Sequence, residues 1–327
     1  MGGKLTMARA GVLGLLVLAT ACSGSSSPTS PTAPAPPPVA APTLTCPAPI
    51  STMTSATGAA VTWEAPTAQG GEAPVAVTCT PASGQSFPLG TTEVRCTAAD
   101  GGGRTAACTF AVNVSRIPTL AKTRFLAFGD SVTVGVVATV NPAGSPPYLL
   151  REVPDAAYPR VLQQLLAARY TSQAITVMNE GKGGEKVVDG VGRAQSVINA
   201  NRPEAVLILD GYNDLGLGDT GIDPAIAAIT TIAKDARFRG ARVFIGTLTP
   251  PPVGVNRGLS NTTITRFNAK LRDVARGENA VLVDVYESFA GNPNMYNSDD
   301  GRHPNEAGYR RIAETFFSAI QRELEQR

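Results

Sequence analysis

The chain has 327 residues, 28 of them basic and 26 acidic, for a formal charge of +2. That length has room for two domains beside a short tail. A balanced charge with no basic block excludes a nucleic-acid-binding role, which needs clustered Lys and Arg. One histidine, His303, and five cysteines, none beyond Cys108, confine any disulfide to the amino-terminal part. The four cysteines beyond Cys22 suit an oxidising compartment.

Lys4 and Arg9 precede an apolar run from Gly11 to Ala21 that stops at Cys22. A basic start, a short apolar stretch and small residues before a processing point describe an export signal over 1–22. The run is too short to span a bilayer as a permanent helix. Leu18-Ala19-Thr20-Ala21-Cys22 resembles the lipobox of bacterial lipoproteins, although Ala19 stands where that family prefers leucine. The resemblance implies lipidation at Cys22 and membrane attachment through acyl chains. The other reading is a plain secretory signal with an unpaired Cys22. Residues 23–42 are mostly Ser, Thr, Pro and Ala without charge, which predicts a disordered or polyproline-like tether.

Over 43–115 short alternating segments, Ala60–Trp63, Val75–Thr78, Thr92–Arg95 and Phe110–Val114, are separated by Gly- and Pro-containing turns. Period-two strands at this spacing predict a small antiparallel sandwich. Cys46, Cys79, Cys96 and Cys108 allow two bridges in three pairings. Leu44-Thr45-Cys46-Pro47, Val77-Thr78-Cys79-Thr80-Pro81, the Phe87-Pro88-Leu89-Gly90 turn, Val94-Arg95-Cys96 and Cys108-Thr109-Phe110 occur together. In these contexts the segment resembles the hyalin-repeat (HYR) module. That resemblance implies an immunoglobulin-like fold used for adhesion or spacing, or a plain spacer without a ligand.

After a short joint over 116–123, apolar strands alternate with helical stretches through 124–327, which predicts βαβ units and a parallel sheet. The predicted strands are Arg124–Phe128, Ala174–Met178, Ala205–Asp210, Arg242–Thr247 and Ala280–Asp284. Tyr158-Pro159 opens a helix with Val161, Leu162, Leu165 and Leu166 on one face, and Asp223-Pro224 opens another as cap and first-turn proline. A last helix runs from near Pro304 toward Leu324. Val136–Asp155, with four prolines, is expected as a loop, either a pocket wall or lid or a surface excursion.

A parallel sheet gathers the loops after its strands on one edge, where open α/β sheets place their ligands. The first strand ends in Gly129-Asp130-Ser131, the second leads to Asn179-Glu180-Gly181-Lys182-Gly183-Gly184, and the third to Gly211-Tyr212-Asn213-Asp214. Asp300-Gly301-Arg302-His303-Pro304 follows the fifth. These residue types form a set for acyl transfer. A serine hydroxyl needs a base, and His303 is the only histidine available. Asp300, three residues earlier, is close enough to accept the imidazole Nδ1 proton. The backbone N–H groups of Ser131 and Gly184 and the Asn213 amide would serve the oxyanion. Each residue also has an ordinary reading: a cap for His303, a turn for Asn213 and Asp214, backbone freedom for Gly184, a solvated carboxylate for Asp300.

These four blocks, in this order, resemble the SGNH (GDSL-type) hydrolases. The resemblance implies a flavodoxin-like three-layer α/β/α domain with Ser131 as nucleophile, His303 as base, Asp300 as its orienter, and Gly184 with Asn213 in the oxyanion hole. Glu180, Lys182 and Glu185 make the second block unusually charged. Gly181 and Gly183 are rival donors to Gly184, and Asp299 is a rival to Asp300. No cofactor and no metal are expected, because the single histidine is taken as base and no ligand-spaced cluster exists.

The resulting expectation is an exported, lipid-anchored serine esterase of the bacterial cell envelope. It would act through an acyl-enzyme on an acylated carbohydrate or lipid. The alternatives are an acyltransferase using the same residues and a catalytically silent adhesive or carbohydrate-binding protein.

Overall fold

The computed structural model describes residues 37–254 and 259–326. The export signal, Cys22 and the tether up to residue 36 lie outside the described residues.

The amino-terminal module is built from β1 (Thr43–Thr45), β2 (Ile50–Thr54), β3 (Gly58–Ala60), β4 (Thr67–Gln69), β5 (Ala76–Thr80), β6 (Ser86–Pro88), β7 (Gly90–Ala99) and β8 (Thr105–Arg116). Four of these form a sheet in the order β2-β8-β7-β5, with β1–β4 and β3–β6 as separate antiparallel pairs. Alternate residues Val94, Cys96, Phe110, Val112 and Val114 face inward with Val61 and Phe87, as period-two strands require. The bridges are Cys46–Cys108 and Cys79–Cys96, one of the three possible pairings.

Three local expectations change. The sheet is not wholly antiparallel: β2 runs parallel to β8, since the two are joined by a long crossover and not a hairpin. The segment Ala60–Trp63 is strand only at Ala60, because Val61 and Trp63 hydrogen-bond the facing turn at Gln85 and Ser83. The Trp63 ring instead lies edge-on to Phe87 and Phe110, 5.7 and 5.2 Å between centroids. Phe87-Pro88, read as turn, is the strand β6 that buries Phe87.

The carboxy-terminal part follows in the order β9 (Thr119–Leu120), β10 (Arg124–Gly129), α1 (Ser131–Val134), β11 (Val136–Val140), β12 (Tyr148–Glu152), α2 (Tyr158–Arg169), β13 (Thr176–Gly181), α3 (Val187–Asn201) and β14 (Ala205–Leu209). A 3-10 segment, Asp214–Gly221, leads into α4 (Ile222–Phe238), β15 (Arg242–Gly246), α5 (Asn261–Gly277), β16 (Val281–Val283), α6 (Val285–Phe289), α7 (Pro293–Tyr296), α8 (Glu306–Leu324) and β17 (Glu325–Gln326). The sheet order is β13-β10-β14-β15-β16, all parallel. In order of appearance that is 2-1-3-4-5, the flavodoxin-like order. Right-handed crossovers put α2 on one face, where it packs with α8, and α3, α4 and α5 on the other. The central strand β14, Ala205–Leu209, is apolar through its whole length and buried at every residue, as a strand covered on both faces must be. The winding reverses direction at β10, which opens a crevice at its carboxyl end. Ser131 stands there.

The joint is partly structured: β9 pairs with β17, and Leu120 lies in the α/β core. The second predicted strand is displaced toward the carboxyl side, because pairing with β10 carries β13 on to Gly129↔Gly181. Asn179, Glu180 and Gly181 are therefore strand residues. Asp223 is not a cap; the 3-10 segment runs directly into α4, which places Asp223 in the first turn, and its side chain pairs with Lys270. Val136–Asp155 is no irregular loop. Most of it is a hairpin of β11 and β12, in register from Val136↔Glu152 to Val140↔Tyr148.

Candidate active site

Ser131 opens the short helix α1 directly after β10. The turn is held from three sides. Asp130 Oδ1 accepts the Val132 N–H at 2.9 Å, Thr133 Oγ1 donates to the Leu209 carbonyl of β14, and Asn179 Nδ2 of β13 donates to the Thr133 carbonyl. Gly129 is required by this crowding. A Cβ there would stand 2.1 Å from the Leu209 carbonyl oxygen and 2.1 Å from Thr133 Oγ1.

His303 reaches the serine from the segment before α8. Asp300 Oδ1 accepts the N–H groups of Arg302 and His303, so the carboxylate folds its own loop before it touches the ring. Its Oδ2 lies 2.6 Å from His303 Nδ1, and His303 Nε2 lies 2.9 Å from Ser131 Oγ. A carboxylate only accepts, so Nδ1 carries the proton and Nε2 is left to accept from the serine hydroxyl. Burial works to raise the Asp300 carboxyl, but the His303 hydrogen bond and charge and the two backbone donors outweigh it and hold it below the usual range. Asp299 is not the ring's partner. Its Oδ2 accepts the Val140 N–H at 2.9 Å and pins the hairpin instead.

The glycine block sits opposite. Gly181 is not a free donor, because its N–H is given to Asn179 Oδ1. Lys182 N–H donates to the Gly129 carbonyl, and the chain then turns through Gly184 at φ +75°, a conformation that favours glycine. Asn213 Nδ2 donates to the Glu185 carbonyl at 2.9 Å, which ties the third block to the second and leaves its other N–H for a ligand. Ser131, Gly183, Gly184, Asn213 and His303 line one cleft of about 450 Å³. The hairpin supplies its wall through Val136 and Leu150. A neighbouring hollow of about 460 Å³ continues past His303 along Pro146, Pro147, Tyr148 and Arg302. The four sequence blocks thus meet at one edge of the sheet.

Other residues organise this edge around the nominated ones. Arg193 of α3 donates to the carbonyls of Glu180 and Gly129, pairs with Glu185 and stacks its guanidinium 4.3 Å from the Phe128 ring centroid. Burial opposes the Glu185 charge, but Arg193 and Lys182 hold its carboxyl below its ordinary value. Asp214 accepts the Val187 and Val188 N–H groups and so caps α3 from outside. Periodicity could not reveal these contacts, whose partners are mostly backbone atoms far along the chain. Glu185 carried a signal as a charge beside the glycine block and Asp214 as the last residue of the third block; Arg193 carried none.

Residues 127–311 match the GDSL-like Lipase/Acylhydrolase family and residues 38–114 match the HYR domain. Among solved structures, LAE5, an alpha/beta hydrolase enzyme from the metagenome of Lake Arreo, is 22% identical with a TM-score of 0.49, over 62% of this chain and 96% of that one. The lipase/acylhydrolase from Enterococcus faecalis is 20% identical with a TM-score of 0.49, over 62% and 97%. Axe2, an acetylxylan esterase from Geobacillus stearothermophilus, is 21% identical with a TM-score of 0.49, over 62% and 94%. No curated protein matches the chain. The family match spans more than half of the sequence and contains all four blocks; the chain belongs to the GDSL-like lipase/acylhydrolase family and is a carboxylic ester hydrolase.

Proposed function

We propose that this protein is an extracytoplasmic serine esterase that works through an acyl-enzyme, with Ser131 as nucleophile, His303 as base and Asp300 as its orienter. The observation that carries this reading is the unbroken chain from Asp300 Oδ2 through both His303 nitrogens to Ser131 Oγ. Ser131 Oγ attacks the ester carbonyl as Nε2 takes its proton. The N–H groups of Ser131 and Gly184 and the free N–H of Asn213 receive the oxyanion, and loss of one such donor typically costs about 3 kcal/mol. The imidazolium returns the proton to the leaving alcohol. Water, deprotonated by the same nitrogen, then releases the carboxylic acid and restores the serine. The ester is one of an acylated carbohydrate or lipid.

A fluorophosphonate probe tests the assignment: it should label the full chain at Ser131, and Ser131→Ala should abolish labelling. Absence of labelling in the unmutated chain would sink the esterase reading and favour a silent binding protein.

The two disulfides and the HYR match support an extracellular setting. Two separate hydrophobic clusters support a sandwich over 43–115 and a hydrolase domain over 124–327. We assign 1–22 as a lipoprotein-type signal, Cys22 as the lipidated residue and 23–42 as the tether. Cys22→Ser expressed in a bacterial host should then move the protein from the membrane pellet to the soluble extract; retention in the pellet would contradict the anchor.

A further inference from the structure

Two buried carboxyls under the site have no part in the chemistry just described. Asp130 and Asp210 have 0% and 1% of their surface exposed. The register Gly129↔Leu209 makes them the next residues on adjacent parallel strands, whose axes run about 4.8 Å apart. One oxygen of each accepts a close backbone N–H, Val132 for Asp130 and Gly211 for Asp210, and the Tyr212 N–H also faces Asp130. The second oxygen of each is buried with no hydrogen-bond partner. Among the described residues, neither carboxyl has a Lys or Arg ion-pair partner. Two adjacent buried carboxylates without a cation cannot both stay ionised. One proton held between the two carboxyls would satisfy both orphaned acceptors.

We propose that Asp130 and Asp210 share a single proton, in a carboxylic acid–carboxylate hydrogen bond that locks the turn carrying Ser131 to the turn carrying Asn213. This rests on the roles given to Ser131 and Asn213 above. Asp130 and Asp210 are positioning residues: each holds the first backbone bond of its own turn, and the bridge between them fixes the distance from nucleophile to oxyanion donor. The proton belongs mainly to Asp210, because the Asp130 charge pushes that carboxyl up while the Val132 and Tyr212 N–H groups favour the ionised form of Asp130.

The surroundings agree. Burial pushes the Asp130 carboxyl up to about 6, and burial together with the Asp130 charge pushes Asp210 well above the usual range. The groups facing the pair are Tyr158 from α2, Tyr212 and Asp214 from the third block, Glu185, Tyr309 from α8, and His303. The three tyrosines are pushed upward by burial and stay neutral. His303 is the one group among them able to bring a positive charge.

The sign of the pH effect follows. A folded pair that holds protons more tightly than the unfolded chain contributes stability fully below about pH 4, and this is lost as pH rises through the folded values. Thermal unfolding of the full chain, read by helical ellipticity, compares wild type with Asp210→Asn and Asp210→Ala. The lone tryptophan, Trp63, lies in the amino-terminal module and would report on the wrong core. The Tm advantage of Asp210→Asn over wild type should widen by about 5 °C or more between pH 4 and pH 8. Asp210→Ala should lower kcat by about tenfold, and Asp210→Asn, whose amide can donate to Asp130, should recover most of it. The Tm gap should persist in a Ser131→Ala background, which separates this inference from the esterase reading. Parallel Tm profiles of wild type and Asp210→Asn, or equal kcat in the Asn and Ala variants, would overturn it. Loss of the gap in Tyr158→Phe would also overturn it, since the orphaned Tyr158 hydroxyl would then be the donor.

Discussion

Ser131→Ala and His303→Ala should each lower kcat/KM on p-nitrophenyl acetate by about 10⁴-fold or more, and the double variant should be no worse than either. The non-additivity is the informative part. Once the serine is gone the base has no proton to take, so a second loss removes nothing further. Asp300→Asn should lower kcat by about 10³- to 10⁴-fold, because an amide at the Nδ1 position favours the wrong imidazole tautomer. Asp299 cannot substitute, since its carboxylate is held by the Val140 N–H on the hairpin. Asp299→Asn should therefore stay within about tenfold of wild type, since the amide oxygen can still accept the Val140 N–H. Reversal of the two, with Asp299→Asn the more damaging, would transfer the orienting role and refute the assignment made from the 2.6 Å contact.

The sequence disclosed the site well because each block follows, or overlaps, the carboxyl end of a strand, and the central strands of this sheet are legible as continuous apolar runs. Phe125–Phe128 and Ala205–Leu209 are buried at every position, so no alternation obscured them. What stayed hidden depends on partners distant in sequence. The order 2-1-3-4-5 is a property of crossovers and not of any one segment. The hairpin over Val136–Glu152 looked like a loop because of its prolines, yet Pro142, Pro146 and Pro147 all fall between the two strands and leave the ladder intact. The choice between Asp299 and Asp300 was open because both lie within reach of His303, and only the adjacent edge of β11 takes one of them away. Asp210 looked like the last residue of an apolar strand; its meaning required Asp130, eighty positions earlier, at the same level of the next strand.

The second block makes the same point about glycine and carries the other large prediction. Gly181, Gly183 and Gly184 look equivalent in sequence, but each faces a different constraint. Gly183 is open, with nothing within 4 Å of an added Cβ, and Gly183→Ala should change Tm by less than about 2 °C. Gly184 is also open but sits at φ +75°, so alanine there should cost about 1 kcal/mol of backbone strain. Gly181 is in ordinary strand geometry and has no room. A Cβ would fall 2.3 Å from the Val134 nitrogen and 2.8 Å from the Thr133 carbonyl carbon, both backbone atoms of the turn that presents Ser131. Neither can rotate aside, so Gly181→Ala must push α1 away from β13 and break the Asn179–Thr133 hydrogen bond. The expected result is a loss of about 2 kcal/mol or more in stability. A fall of about 10²-fold in kcat should accompany it, since a displacement near 1 Å at a reacting atom has that effect. KM should move less, because the cleft walls on the hairpin are untouched. Wild-type kcat in Gly181→Ala would mean that the serine turn is positioned from β14 alone, through Thr133 and the Leu209 carbonyl, and that β13 is dispensable for catalysis.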